Sequence, residues 1–228
     1  MSASRPAHAS SWQVLTALML PVGPAAVATL RYVIPYLTTD SSTEVAQKVS
    51  AHPSAQSAAV WLGFVASLVL VPSVLVIGAC IRRDAPRLTA AAVGLLVPGY
   101  LVLAWLSASD AAVLFSVRHG YAMADAAAAY EELHAVVIVA GAIFVLGHVL
   151  GTVLLGCALW RVPLFPRWAA AIVAVSQPLH FVAAVIVGSH TLDLFAWGLN
   201  AVGFAVVGWV LVLGEPTAVT SPKEVALS

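Results

Sequence analysis

Charge is what this sequence has least of. Ten of its 228 residues are Lys or Arg and ten are Asp or Glu, so 9% are charged with a formal net charge of zero, while 61% are hydrophobic. Soluble domains carry roughly 25% charged residues, and no soluble fold has an interior large enough for this much apolar surface. The cancelled charges leave no field to draw a polyanion, which disfavours nucleic-acid binding. Cysteine is nearly missing as well. Cys80 and Cys157 are the only two, both in apolar stretches and without a CxxC pair, so neither a disulfide framework nor a zinc site is suggested, and both read as small core residues. No Walker loop, GxGxxG, GxSxG, HExxH or DDxxD pattern is present, which makes ATP-driven transport and metal-dependent prenyl transfer poor fits. No Lys stands at mid-depth in an apolar run, which excludes a retinal Schiff base. The expectation is a protein without metal or cofactor.

Long apolar runs are there instead. A bilayer core about 30 Å thick needs about 20 apolar residues in a helix, and six such runs emerge, at 12–37, 57–81, 88–109, 133–160, 168–188 and 194–213. They predict an all-α integral membrane protein, a six-transmembrane-helix bundle over 12–213 with an N-terminal tail 1–11 and a C-terminal tail 214–228. A polar loop (38–56), a basic turn (82–87), an Ala-rich segment with a possible interfacial helix (110–132) and two short links (161–167, 189–193) join the runs. Arg5 and the small residues Ala26 and Ala28 imitate a signal peptide, but the spans that follow favour a retained first helix.

Positive charge set beside the spans gives the orientation. Arg5, Arg82, Arg83, Arg87, Arg161, Arg167 and Lys223 fall on one side, against Arg31, Lys48 and Arg118 on the other. Both termini are therefore expected in the cytoplasm of a multi-pass cell-membrane protein. The acids divide the opposite way, with Asp40, Glu44, Asp110, Asp125, Glu131, Glu132 and Asp193 at the outer side.

An internal similarity suggests a tandem repeat. Residues 77–82 resemble 155–161, residues 86–91 resemble 166–171, and Pro98 and Pro178 each stand 12 residues beyond Pro86 and Pro166. Helices two and three would then duplicate helices four and five as parallel hairpins around a shared space, with corresponding kinks at the two prolines.

An ionisable side chain inside a bilayer is expensive and marks a candidate site. His148 lies near the middle of helix four beside the small-residue pair Gly147 and Gly151, on one stripe with His134; helix packing is the plainer reading of that region. Helix five carries Ser176, Gln177, Pro178 and His180 at mid-depth. Pro178 frees the Ala174 carbonyl, so these polar groups either satisfy the broken helix or face a substrate. Asp110, at the expected end of helix three, suits a general acid at the edge of a dry cavity, or is a solvated charge at a helix end. Arg31 either snorkels to the interface or pairs with Asp40 or Asp110. Glu131 and Glu132 read as caps of helix four. Trp12, Trp61, Trp160, Trp168 and Trp197 read as an interfacial belt, whereas Trp105, deeper in helix three, can offer its ring face to a cation.

The segments 147–156 and 176–180, with the size, helical content and sparse intramembrane acid and His residues, resemble small six-span membrane proteins of actinobacteria. Within that group the chain resembles the membrane-bound terpene cyclases of bacterial prenylated-indole pathways, which cyclise farnesylated diketopiperazines. The resemblance implies a metal-independent cyclase that starts by protonating an alkene of a hydrophobic prenylated substrate in the bilayer. Asp110, His148, His180 and Gln177 would be its catalytic residues, and Trp105, Ser176 and His134 would bind substrate. The fallback acids are Asp40, Glu44, Glu131 and Asp193. The alternatives are a small-molecule or lipid transporter, or a b-type haem protein ligated by His148 and His180.

The orientation is testable in a background with Cys80 and Cys157 replaced by Ala. Single cysteines in the 38–56 loop are expected to react with an impermeant thiol reagent added outside cells; reaction only from the cytoplasmic side would reverse the topology.

Overall fold

The computed structural model describes residues 10–131 and 135–213, and every described segment of regular structure is helical. Two short helices, α1 (Ser11–Met19) and α2 (Val22–Val33), are joined by a turn at Pro21 and make the first span. α3 (Ser42–Ala51) lies in the following loop and starts in a capping box: Ser41 Oγ accepts from the Glu44 N–H and the Glu44 carboxylate accepts from the Ser41 N–H. α4 (Pro53–Ile81) is the second span, and α5 (Pro86–Leu101) with α6 (Leu103–Arg118) makes the third. Pro53 and Pro86 sit in the first turns of their helices, where a missing N–H costs nothing. After the short α7 (Met123–Glu131) come α8 (Ala135–Trp160) and α9 (Arg167–Phe181), the latter running on into a π-helix, Val182–Val187, that stops at Gly188 with φ 65°. α10 (His190–Leu213) is the sixth span.

Six helical segments are thus long and apolar enough to cross a membrane, and the outward side chains agree. Trp61, Ile138, Ile186 and Trp209 are 63–71% exposed, which suits lipid and not water. The spans form a ring in sequence order: α2 packs on α4, α4 on α5 and α6, α5 on α8, α8 on α9, α9 on α10, and α10 returns to α2. Arg82, Arg83, Arg87, Arg161 and Arg167 gather at one end, the arginine end. α3 and α7 cover the other, the α3 end, where Tyr36, Val45, Val49, Val113 and Ala126 form a small core of their own.

Glycine sets how closely the ring is drawn. A Cβ on Gly147 would stand 2.7 Å from the Leu95 carbonyl oxygen and 2.9 Å from Gly99 Cα, so α5 and α8 touch backbone to backbone. At Gly156 a Cβ would meet Ala174 at 2.6 Å, locking α8 against α9 near the arginine end. Gly208 does the same against the Ala17 carbonyl, at 2.6 Å. Gly141, nearer the α3 end of α8, has nothing within 4 Å. The α8–α9 hairpin is therefore shut at its base and open at its tip, where the π-helix packs on α9 and α10.

Two expectations shift. The third span continues to Arg118, because residues 111–115 prolong the apolar pattern; Asp110 therefore lies within a helix, not at its end, and 110–131 is the last turns of α6, a short link and α7. Pro98 and Pro178 both lie inside their helices, and both helices change geometry four residues later, α5 breaking at Val102 and α9 turning to π at Val182.

Gly147→Ala is expected to destabilise the protein by about 1–3 kcal/mol, the usual cost of overpacking. Gly141→Ala should be neutral or stabilising by up to about 1 kcal/mol, the helix-propensity gain. Thermal unfolding in micelles measures both; equal effects would mean that the α5–α8 contact is not close.

Candidate functional site

The seam that closes the ring, between α2 and α10, carries charge. Arg31, in the last turn of α2, donates from Nε to Asp193 Oδ2 at 2.6 Å and from its terminal nitrogen to Thr38 Oγ1 at 2.6 Å. Asp193 sits in the first turn of α10, where the helix dipole favours a carboxylate, and is 1% exposed. Its other oxygen, Oδ1, accepts from Nδ1 of His180 on α9. His190 Nδ1 donates to the Arg31 carbonyl at 2.8 Å, tying the start of α10 to α2 a second time. One carboxylate thus joins α2, α9 and α10. The expected partners of Arg31 are engaged elsewhere: Asp40 pairs with Lys48 at 2.6 Å, and Asp110 accepts from the Tyr36 hydroxyl. The reason is depth, since Arg31 is at the level of the start of α10 and Asp193 is the buried carboxylate there.

This network forms one wall of a cavity of about 540 Å3 in the α3 half of the bundle. Asp110, on α6, lies in the wall too, its backbone carbonyl accepting from Gln56 Nε2 at 3.3 Å. Burial raises the Tyr36 hydroxyl well above the usual tyrosine range, so Tyr36 stays a neutral donor to the Asp110 carboxyl. Asp40 contributes nothing to the cavity; burial works to raise it, but Lys48 and the Leu37 N–H outweigh burial and hold it below the ordinary carboxylate range. Glu44, bonded by Ser41 in the capping box, is likewise lowered.

The floor is a cluster of three rings. His148 and His180 lie 5.3 Å apart between centroids, Trp197 stacks on His148 at 5.8 Å, and its edge meets His180 at 5.4 Å. His148 is fully buried, and its Nδ1 donates to the Phe144 carbonyl. At the α3 end the cavity opens sideways: Ile138 on α8 and Phe181 and Val185 on the fifth span line it and are also exposed on the bundle surface. The gap follows from the hairpin that is shut at Gly156 and spread at its tip.

Asp110, His148 and His180 are therefore brought together. Gln177 is not; it is fully buried but absent from the cavity wall, because three residues along a helix carry it a turn deeper than His180 and partly round the helix. Ser176 is buried and donates back to the Val173 carbonyl at 2.8 Å, which satisfies it within α9. Trp105 is 51% exposed on the outer face of α6 and does not reach the cavity. His134 and Glu132 lie outside the described residues. Trp197 is a correction to the aromatic belt: it is fully buried at the floor, whereas Trp12, Trp61, Trp160 and Trp168 are exposed. Sequence reasoning also passed over Tyr36, Tyr130 and Asn200; Asn200, an amide inside an apolar run, was a visible signal. Among the described residues no three His, Cys, Asp or Glu side chains gather as metal ligands.

Residues 15–214 match the family described as "Domain of unknown function (DUF4386)". No curated protein and no solved structure matches the chain.

Breaking a buried ion pair from one side costs about 3–5 kcal/mol, so Asp193→Asn and Arg31→Met should each destabilise by that order. The double variant should recover part of the loss, because no unpaired charge remains. Additive losses in a double-mutant cycle would show that the pair contributes nothing.

Proposed function

The chain belongs to the DUF4386 family, and we propose that it is a membrane-embedded, metal-independent cyclase that isomerises a prenylated, farnesyl-type small molecule by protonating an alkene. The observation that carries this reading is a single apolar cavity that has both a carboxyl group, Asp110, and a carboxylate-backed imidazole, His180, in its walls. The volume falls within the roughly 300–1,000 Å3 typical of small-molecule sites. Asp110 delivers its proton to the terminal alkene of the substrate, and the adjacent tertiary carbon becomes cationic. The next π bond attacks that carbon and closes a ring, and the last cation loses a proton to Nε2 of His180. Atoms balance, and the product is an isomer. Tyr36 orients the acid, while Asp193, itself paired with Arg31, stabilises the imidazolium that forms on His180. Phe144 and Trp197 present rings to the cation, and the apolar walls keep out water that would quench it. The arginine counts put the α3 end outside, so substrate would enter from the outer leaflet between α8 and the π-helix.

The sideways opening also supports a second reading, a lipid-binding or transport module without chemistry. A b-type haem would require the imidazoles and Trp197, now in mutual contact, to part and admit a porphyrin.

Purified protein in lipid vesicles, incubated with farnesylated indole-type molecules, is expected to yield products of unchanged mass and altered retention. Asp110→Asn keeps the shape and removes the acidic proton, and should lower turnover by about 10²–10⁴-fold. Normal turnover by that variant would move the acid elsewhere, and binding without any isomer would favour the transport reading.

A further inference from the structure

Beneath the ring floor, one helical turn towards the arginine end, lies a second polar layer that the cavity does not reach. Tyr100 on α5, Thr152 on α8, Gln177 on α9 and Asn200 on α10 are each fully buried. The glycine contacts fix their common level. Thr152 and Gln177 lie about a turn outward from the Gly156–Ala174 contact, and Asn200 and Gln177 a turn outward from the point where Gly203 meets Val173. The Tyr100 hydroxyl is within hydrogen-bonding reach of Thr152 and Asn200, although none of the three is bonded in good geometry, and both polar atoms of Gln177 have no partner in the protein. From the floor above, His148 Nε2 and the Trp197 indole N–H are buried and unpartnered as well. Among apolar helices no lipid or bulk solvent can satisfy such groups, and a fold does not tolerate so many unpaired in one place.

We propose that this layer is a binding site for ordered water, a buried cluster that hydrogen-bonds Tyr100, Thr152, Gln177 and Asn200 and reaches Nε2 of His148 and the indole of Trp197. The donor and acceptor inventory selects the ligand. The Gln177 and Asn200 amides and the indole supply N–H donors, while His148 Nε2 and the two amide oxygens accept; Nδ1 of His148 already donates to Phe144, which makes Nε2 the acceptor. A bare cation would be repelled by those donors. Water, with two of each kind and a need for 2–4 polar partners, matches the set. The three touching rings stand between this layer and the cavity, so water held here is kept apart from the apolar substrate side. The inference is independent of whether the cavity converts its ligand or only carries it.

The full-length protein in micelles tests this in two ways. Gln177→Met removes both amide atoms at nearly constant volume. If water bridges the layer, the variant strands its bonded partners and Tm falls by about 2–4 °C; if the layer is dry, it removes an unpaired polar group and Tm stays or rises, which overturns the proposal. Hydroxyl-radical footprinting of the unaltered protein decides without any variant. Radicals formed from internal water should oxidise Tyr100 and Trp197 well above Phe204, which is equally buried in apolar packing. Labelling of Tyr100 and Trp197 no faster than Phe204, corrected for intrinsic reactivity, would overturn it as well.

Discussion

A carboxylate at 1% exposure among apolar helices is tolerated only when its charge is matched, and Asp193 is matched by Arg31 on α2 and accepts a hydrogen bond from His180 on α9. The chain has few charges to spend on such a contact, which is why its placement matters. It lies where the last span meets the first and so converts a row of helices into a closed ring. It also fixes His180: the imidazole takes its orientation and its tautomer from the same carboxylate that closes the bundle. Ring closure and site geometry are therefore one interaction, and a change to either partner is felt in both.

The cavity follows from a second constraint, the uneven use of small residues. Where Gly147, Gly156 and Gly208 let backbones touch, nothing fits between helices; where α8 and the π-helix draw apart, space remains. In a bilayer such contacts are held by close packing, since lipid offers no hydrophobic drive between helices. The shut base and open tip of the α8–α9 hairpin give the cavity a blind floor and a sideways mouth, a shape suited to a molecule that arrives through lipid.

Polarity is then sorted by depth. The charged network and Asp110 sit at the α3 half, the three rings form the floor, and the neutral amides and hydroxyls lie below it. Each level differs in what it can do. On the readings proposed above, the first transfers protons, the second shelters charge without wetting it, and the third holds water.

The sequence by itself determined that the chain is a six-span helical membrane protein, because the length and apolarity of a run are local properties and a bilayer reads them locally. It also marked Asp110, His148 and His180, since an ionisable group in an apolar run is visible without any fold, and all three line one cavity. It misplaced Trp105 and Trp197, because depth along a helix does not say which side faces a neighbour: one points to lipid and the other is the floor. Nor could it pair Arg31 with Asp193, separated by 162 residues. That contact depends on the sixth span returning to the first, and only the tertiary structure, by closing the ring there, decided which charges would meet.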